Sequence, residues 1–154
     1  MIKIMFVCHG NICRSPMAEF AMKYLVNGKV EKFEIASSAT SYEEIGNDIH
    51  YGTKQKLREN GIPFERRAAV RFTPKDYDYY DYIIVMDERN IINLKRIIGD
   101  DQYGKIYKLK DFTTGGNVAD PWYTGNFDET YRDILEGCIA FLDFLERQKD
   151  NEGV

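Results

Sequence analysis

The sequence predicts a small doubly wound α/β fold: a four-stranded parallel sheet with helices on both faces and a phosphate-binding loop after strand one. Three observations carry that prediction. Residues 2–7 and 82–86 are short, almost wholly apolar runs, as strands buried on both faces are. Helical stretches alternate with the strands, which implies right-handed βαβ crossovers. The first strand runs straight into Cys8-His9-Gly10-Asn11-Ile12-Cys13-Arg14-Ser15, at the sheet edge where such folds bind ligands.

Strand one covers residues 2–7. Ser15 is placed to cap the helix that follows, with Pro16 in its first turn, and Met17, Ala18, Phe20, Ala21, Tyr24 and Leu25 continue it towards Gly28. Residues 33–36 form a short second strand, and a polar loop takes over from Ser37 to about Gly46. Residues 48–60 read as a helix closed by Gly61. Thr73-Pro74-Lys75-Asp76 carries the marks of another helix start, with an acid at its third position. Strand three, residues 82–86, feeds Asp87 and a helix through Asn90, Ile91, Leu94 and Ile98. Residues 105–109 supply a fourth strand and residues 111–126 a long loop. The last helix spans about 128–148, with Tyr131, Ile134, Leu135, Cys138, Leu142 and Leu145 on one face and a frayed tail after Lys149.

The chain has 154 residues, one domain's worth, and residues 1–154 are expected to form a single domain. A net charge of −4 with no Lys/Arg run argues against nucleic-acid binding. No segment is long and apolar enough for membrane insertion, and the opening apolar run is too short for a cleavable signal. Three cysteines, an odd number, do not make a secreted disulfide framework, so a cytoplasmic protein with reduced thiols is expected.

The Cys8–Ser15 loop is where the chemistry lies. A loop of this length can turn its backbone N–H groups inward on a tetrahedral anion. Cys8 then lies beneath the anion, and Arg14 can return to clamp two of its oxygens. Inward amides, the helix N-terminus and Arg14 all favour a thiolate at Cys8, and the Ser15 hydroxyl can donate to the same sulfur. Gly10 and Asn11 are the residue types that most readily take the positive φ a tight loop needs. Cleaving a phosphate ester also needs an acid for the departing oxygen, preferably on a segment that closes over the ester. Asp120, in Val118-Ala119-Asp120-Pro121-Trp122-Tyr123, is the candidate, and Trp122 and Tyr123 can wall a slot for a flat ring. A metal site built from Cys8, His9 and Cys13 lacks a clear fourth ligand and a usual spacing.

Cys8-x5-Arg14-Ser15 near the start and Asp120-Pro121-Trp122-Tyr123 before the last helix resemble the low-molecular-weight protein tyrosine phosphatases. The resemblance runs through essentially the whole chain, including Thr73-Pro74-Lys75-Asp76 and Asp87-Glu88-Arg89-Asn90. It implies that Cys8 attacks phosphorus to form a phosphocysteine, that Arg14 binds the equatorial oxygens, and that Asp120 first protonates the leaving phenol and then activates water. It implies that Asn11 braces the loop, that Ser15 stabilises the thiolate, that the substrate is a phosphotyrosine-containing protein, and that no metal or organic cofactor is used. It suggests a reversible Cys8–Cys13 disulfide; the alternative is that Cys13 packs as a small apolar residue. His9, where an apolar residue is common, either lines the pocket mouth or is simply exposed. Tyr42 falls near an aromatic wall position, and Arg67 stands near a histidine that supports the loop in some relatives. The oligomeric state is not legible.

Among other residues, His50 is read as a solvent-facing helix residue and Cys138 as core. Asp87 is given a structural part at its helix start and no catalytic role. The run of tyrosines and acids over residues 76–82 is read as packing at the entrance to strand three, against a modified or partner-binding patch. Two further readings compete. Thioredoxin-coupled arsenate reductases share the cradle, but they relay electrons through later cysteines and none lies between Cys13 and Cys138 here. A phosphoryl carrier or phosphopeptide-binding module would hold phosphate without releasing it, and Arg14 with Asp120 suits hydrolysis better. Relatives that act on phosphoarginine carry a small polar residue at the position of Ile12, whose apolar side chain suits a phenyl ring.

Overall fold

The computed structural model describes residues 1–29 and 32–152. Four strands, β1 (Ile2–Cys8), β2 (Phe33–Ala39), β3 (Tyr82–Val85) and β4 (Ile106–Lys108), form one sheet in the order β2-β1-β3-β4. Every pairing is parallel. Among the described residues six α-helices accompany them: α1 (Arg14–Leu25), α2 (Tyr51–Glu59), α3 (Pro74–Tyr79), α4 (Glu88–Ile98), α5 (Pro121–Thr124) and α6 (Phe127–Glu152). Among the described residues no helix is long and apolar enough to cross a membrane.

The sheet is doubly wound because β1 is apolar on both faces. Ile4, Phe6 and Cys8 join Met17, Ala18 and Ala21 of α1 and Ile134, Cys138 and Phe141 of α6 in one core. Met5 and Val7, one step out of phase, join Phe72, Ile83, Val85 and Leu94 in the other. Cys8 is thus the last residue of a fully buried series, which leads its side chain to the C-terminal edge of the sheet. The order of strand addition reverses between β1 and β3, the point at which such sheets form a ligand crevice.

Local signals explain several boundaries. Thr73 and Asp76 form a reciprocal capping box at α3, with Thr73 N donating to Asp76 Oδ2 at 2.9 Å. Asp87 caps α4 by accepting from Asn90 N at 2.9 Å. Tyr77 and Tyr80 are buried in the second core, and Tyr77 Oη donates to Asp101 at 2.5 Å. Most of that tyrosine run is therefore packing, although Tyr79 is half exposed and donates to Glu34.

Other boundaries differ from expectation. β2 continues through Ser37, Ser38 and Ala39, which pair with Phe6, Val7 and Cys8, where the sequence suggested a polar loop. The serine hydroxyls are tolerated because they have buried partners: Ser37 Oγ donates to Glu19 at 2.5 Å and accepts from Asn11 at 2.9 Å. α1 begins at Arg14 with Cys13 in the capping position, so Ser15 lies inside the helix and its hydroxyl turns to the loop instead. α2 starts at Tyr51, with His50 as its cap. The expected loop over 111–126 contains the short helix α5, and a 3₁₀ turn (Leu109–Phe112) precedes it. α6 runs to Glu152, past the point where fraying was expected.

Candidate active site

The cradle is built from the end of β1 and the start of α1. Asn11 is the one non-glycine residue with positive φ, at 60°, among those described, whereas Gly10 stays outside the left-handed region. Gly10 serves through its small size, since an added Cβ would come 3.3 Å from Glu44 Cγ. The Asn11 conformation is held from every side. Its Nδ2 donates to Ser15 Oγ at 2.8 Å and Ser37 Oγ at 2.9 Å, and its Oδ1 accepts from Val70 N at 3.2 Å. Its carbonyl accepts from the Arg67 guanidinium. Burial, the largest effect, lowers the proton affinity of Arg67, while Glu19, Cys8 and Asp48 oppose that.

The backbone N–H groups of Asn11 and Ser15 point at Cys8 Sγ, 3.3 and 3.4 Å away. Ser15 Oγ lies 3.0 Å from the same sulfur and only distantly, at 3.5 Å, from the Ser38 carbonyl. A thiol donates along the Cys8–Ser15 contact; a thiolate instead draws the hydroxyl proton towards itself. Three donors can therefore converge on a sulfur that is itself buried.

Arg14 is 2% exposed and is held by groups from two distant loops. Nη1 donates to Asp87 Oδ2 at 2.7 Å and to the Val118 carbonyl at 2.9 Å, and Nη2 faces Asp120 Oδ2 at 3.4 Å. With Nη1 so committed, Nε and the rest of Nη2 are the groups left to grip an oxyanion. Burial works against the charge on Arg14, but Cys8, Asp120 and Asp87 outweigh it and raise its proton affinity. Asp87, given only a capping role from sequence, thus has two: one oxygen caps α4 and the other orients Arg14. Two sequence signals point to it: its place immediately beyond strand three, at the ligand-binding edge, and its membership of the Asp87–Asn90 stretch that the family resemblance includes.

Asp120 caps α5, its Oδ1 accepting from Trp122 N at 3.0 Å, with Oδ2 turned to Arg14. Its loop is anchored from behind. Val118 N donates to the Met86 carbonyl at 2.8 Å, and Thr130 Oγ1 donates to the Ala119 carbonyl at 3.0 Å. Trp122 and Tyr123 stand 58% and 82% exposed on the near wall of the cleft.

Cys8, His9, Gly10, Ile12, Cys13, Arg14, Asp120, Trp122 and Tyr123 line one cleft, with Asn11 and Ser15 bracing its floor. Tyr42 does not line it: the ring points outward beneath Arg71, 4.1 Å from the guanidinium carbon, and Glu43 and Glu44 take the opposite wall instead. His9 lines the mouth, with Nε2 2.8 Å from Glu43. Burial, then Cys8 and Asp120, push the Cys13 thiol upward in pKa, and all three cysteines are free. Cys138 is fully buried in the core. Among the described residues no cluster of three or more His, Cys, Asp or Glu side chains is gathered as a metal site. His50, expected in solvent, is half-buried: Nδ1 accepts from Gly52 N at 3.0 Å and the ring stacks on Phe127.

The fold and this cleft define a parallel α/β domain with a cysteine-floored anion cradle at the carboxyl edge of its first strand. Residues 3–151 match the model of the low molecular weight phosphotyrosine protein phosphatases, and the chain belongs to that family. It is 39% identical to the low molecular weight protein-tyrosine-phosphatase YfkJ of Bacillus subtilis, over 97% of this chain and 99% of that one. The crystal structure of YfkJ superposes with a TM-score of 0.92, covering 97% of each chain. SP-PTP, a low molecular weight protein tyrosine phosphatase from Streptococcus pyogenes, is 44% identical, with a TM-score of 0.82 over 96% of this chain and 93% of that one. The Drosophila arginine phosphatase DARP is also similar in fold, at 26% identity and a TM-score of 0.84 over 94% and 98% of the two chains.

Proposed function

We propose that the chain, acting as a single domain over residues 1–154, hydrolyses phosphotyrosine monoesters on proteins through a phosphocysteine intermediate. The observation that carries this reading is the convergence on one cleft of a sulfur met by two amides and a hydroxyl, a buried guanidinium and a carboxylate. The phosphoryl dianion enters the cradle with its equatorial oxygens against the loop amides and the Arg14 groups not held by Asp87. Cys8 Sγ attacks phosphorus as the P–O bond breaks, and Asp120 delivers a proton to the departing phenolic oxygen. Water then attacks the phosphocysteine and gives a proton to Asp120. The P–S bond breaks, and the thiolate leaves into the Ser15 hydroxyl and the Asn11 and Ser15 amides. No metal or organic cofactor takes part in this scheme. The reduced thiol it needs suits a cytoplasmic protein.

Trp122 and Tyr123 on one wall and apolar Ile12 on the floor favour an aromatic leaving group over the thin, cationic side chain of phosphoarginine. The deciding experiment is turnover of 4-nitrophenyl phosphate and of phosphotyrosine and phosphoarginine peptides, with Cys8→Ser and Asp120→Asn alongside. Wild-type turnover with a phosphotyrosine preference, abolished in Cys8→Ser, is expected. Inactivity of the wild type, or activity of Cys8→Ser, refutes the mechanism; a preference for phosphoarginine refutes the substrate.

A further inference from the structure

His50 stands where the cradle, the acid-bearing turn and α6 meet. Its backbone N–H donates to the Ile12 carbonyl of the cradle at 2.9 Å. Its ring lies 5.3 Å from that of Phe127 at an interplanar angle of 15°, and meets Trp122 edge-on at 5.8 Å and 76°. Trp122 is two residues beyond Asp120, and its N–H is the group that holds Asp120 Oδ1. Phe127 is itself packed tightly on the α2 backbone: a Cβ on Gly52 would come 2.5 Å from the ring. One residue, through its amide and its ring, thus connects the cradle to the segment that carries the carboxylate, without lining the cleft itself.

We propose that His50 is a positioning residue for the general acid: its ring steadies Trp122, and through the Trp122 N–H the Asp120 carboxylate, against a cradle held by the same residue's amide. This rests on the assignment of Asp120 as the acid in the proposed mechanism. A displaced acid penalises most the esters whose leaving oxygen is most basic, because a good leaving group departs with little help. The signature is therefore a steeper dependence on the leaving group and not a uniform loss.

The ring and the cap can be separated. His50→Asn keeps an acceptor for the Gly52 N–H and removes the ring, whereas His50→Phe keeps a ring and removes the acceptor. The measurement is kcat/KM for phenyl phosphate and for 4-nitrophenyl phosphate. With misplacements of about 1 Å costing up to about 10²-fold, His50→Asn is expected to widen the ratio between the two esters by about tenfold or more, and His50→Phe to leave it within about twofold of wild type. Trp122→Ala, at an exposed position, should widen it in the same sense; if His50→Asn does not fold, this variant decides. Equal losses on both esters, or a widened ratio in His50→Phe alone, would overturn the proposal. Wild-type inactivity or an active Cys8→Ser instead overturns the phosphatase mechanism, so the two failures are distinguishable.

Discussion

Replacing Asp87 with asparagine tests the hold on Arg14 while sparing the helix cap. In Asp87→Asn the oxygen that accepts from Asn90 N can remain, but the atom 2.7 Å from Arg14 Nη1 becomes an NH2 facing an N–H. The Arg14 side chain is 3% exposed and that of Asp87 22%, so water compensates only in part. Breaking a fully buried pair costs about 3–5 kcal/mol, and here the Val118 carbonyl and Asp120 still hold the guanidinium. A loss nearer that of one charged hydrogen bond, about 1.5–3 kcal/mol, follows. Asp87→Ala also removes the cap and should lose about 1 kcal/mol more. Urea unfolding at neutral pH reads both values. Held by the Val118 carbonyl and Asp120 alone, the guanidinium can tilt out of register, so kcat/KM on a phosphotyrosine peptide should fall about 10- to 100-fold in Asp87→Asn, the equivalent of about 1.4–2.8 kcal/mol in the transition state. If Asp87→Asn matches wild type in both urea midpoint and kcat/KM, Asp87 is only a helix cap and Arg14 is positioned without it.

Three further outcomes are expected. Gly52→Ala should destabilise the protein by about 1–3 kcal/mol despite alanine's better helix propensity, because Phe127 must move; a raised urea midpoint would show that the ring has room. Burial lowers the pKa of His50, with Glu44 opposing, so the folded protein binds fewer protons there than the unfolded chain. That contribution is neutral above about pH 6.5 and becomes a penalty as pH falls below it; comparing urea midpoints of wild type and His50→Asn at pH 8 and pH 5 isolates it from Glu44 and from Lys56, Glu59 and Asp128 in the adjoining groove. After mild peroxide, wild type should regain activity with dithiothreitol more fully than Cys13→Ser; equal recovery would remove the protective disulfide.

Much of this molecule is legible before any coordinate is known, and the gaps have a common cause. Cys8 with Arg14, and the Thr73–Asp76 box, are readable because each is a local pattern whose defining residues lie within one short stretch of chain. Ser15 before Pro16 carries the same local pattern as a helix cap, yet its hydroxyl is drawn to Cys8 and Asn11, contacts that only the closed loop creates. Asp87 and His50 have ordinary cap positions too. Their second partners, Arg14 and Trp122, lie 73 and 72 residues away along the chain, beyond any periodicity. From sequence β2 ends at Ala36 because serines read as loop, and nothing in the run itself announces that Asn11 and Glu19 will satisfy Ser37. In the rim loop Tyr42 is the aromatic that the sequence offers for a wall, but two glutamates one and two residues later face the cleft.

The alternation along β1 has a consequence for how this chain can vary. Because Cys8 continues the phase of Ile4 and Phe6, adding or deleting one residue within that strand would swing the thiol to the opposite side of the sheet, towards α4. The address of the proposed nucleophile is thus written in the parity of a strand whose residues 4–7 lie in the core. Insertions are tolerable in the exposed turn around residues 113–117, which has no such odd-or-even bookkeeping to keep.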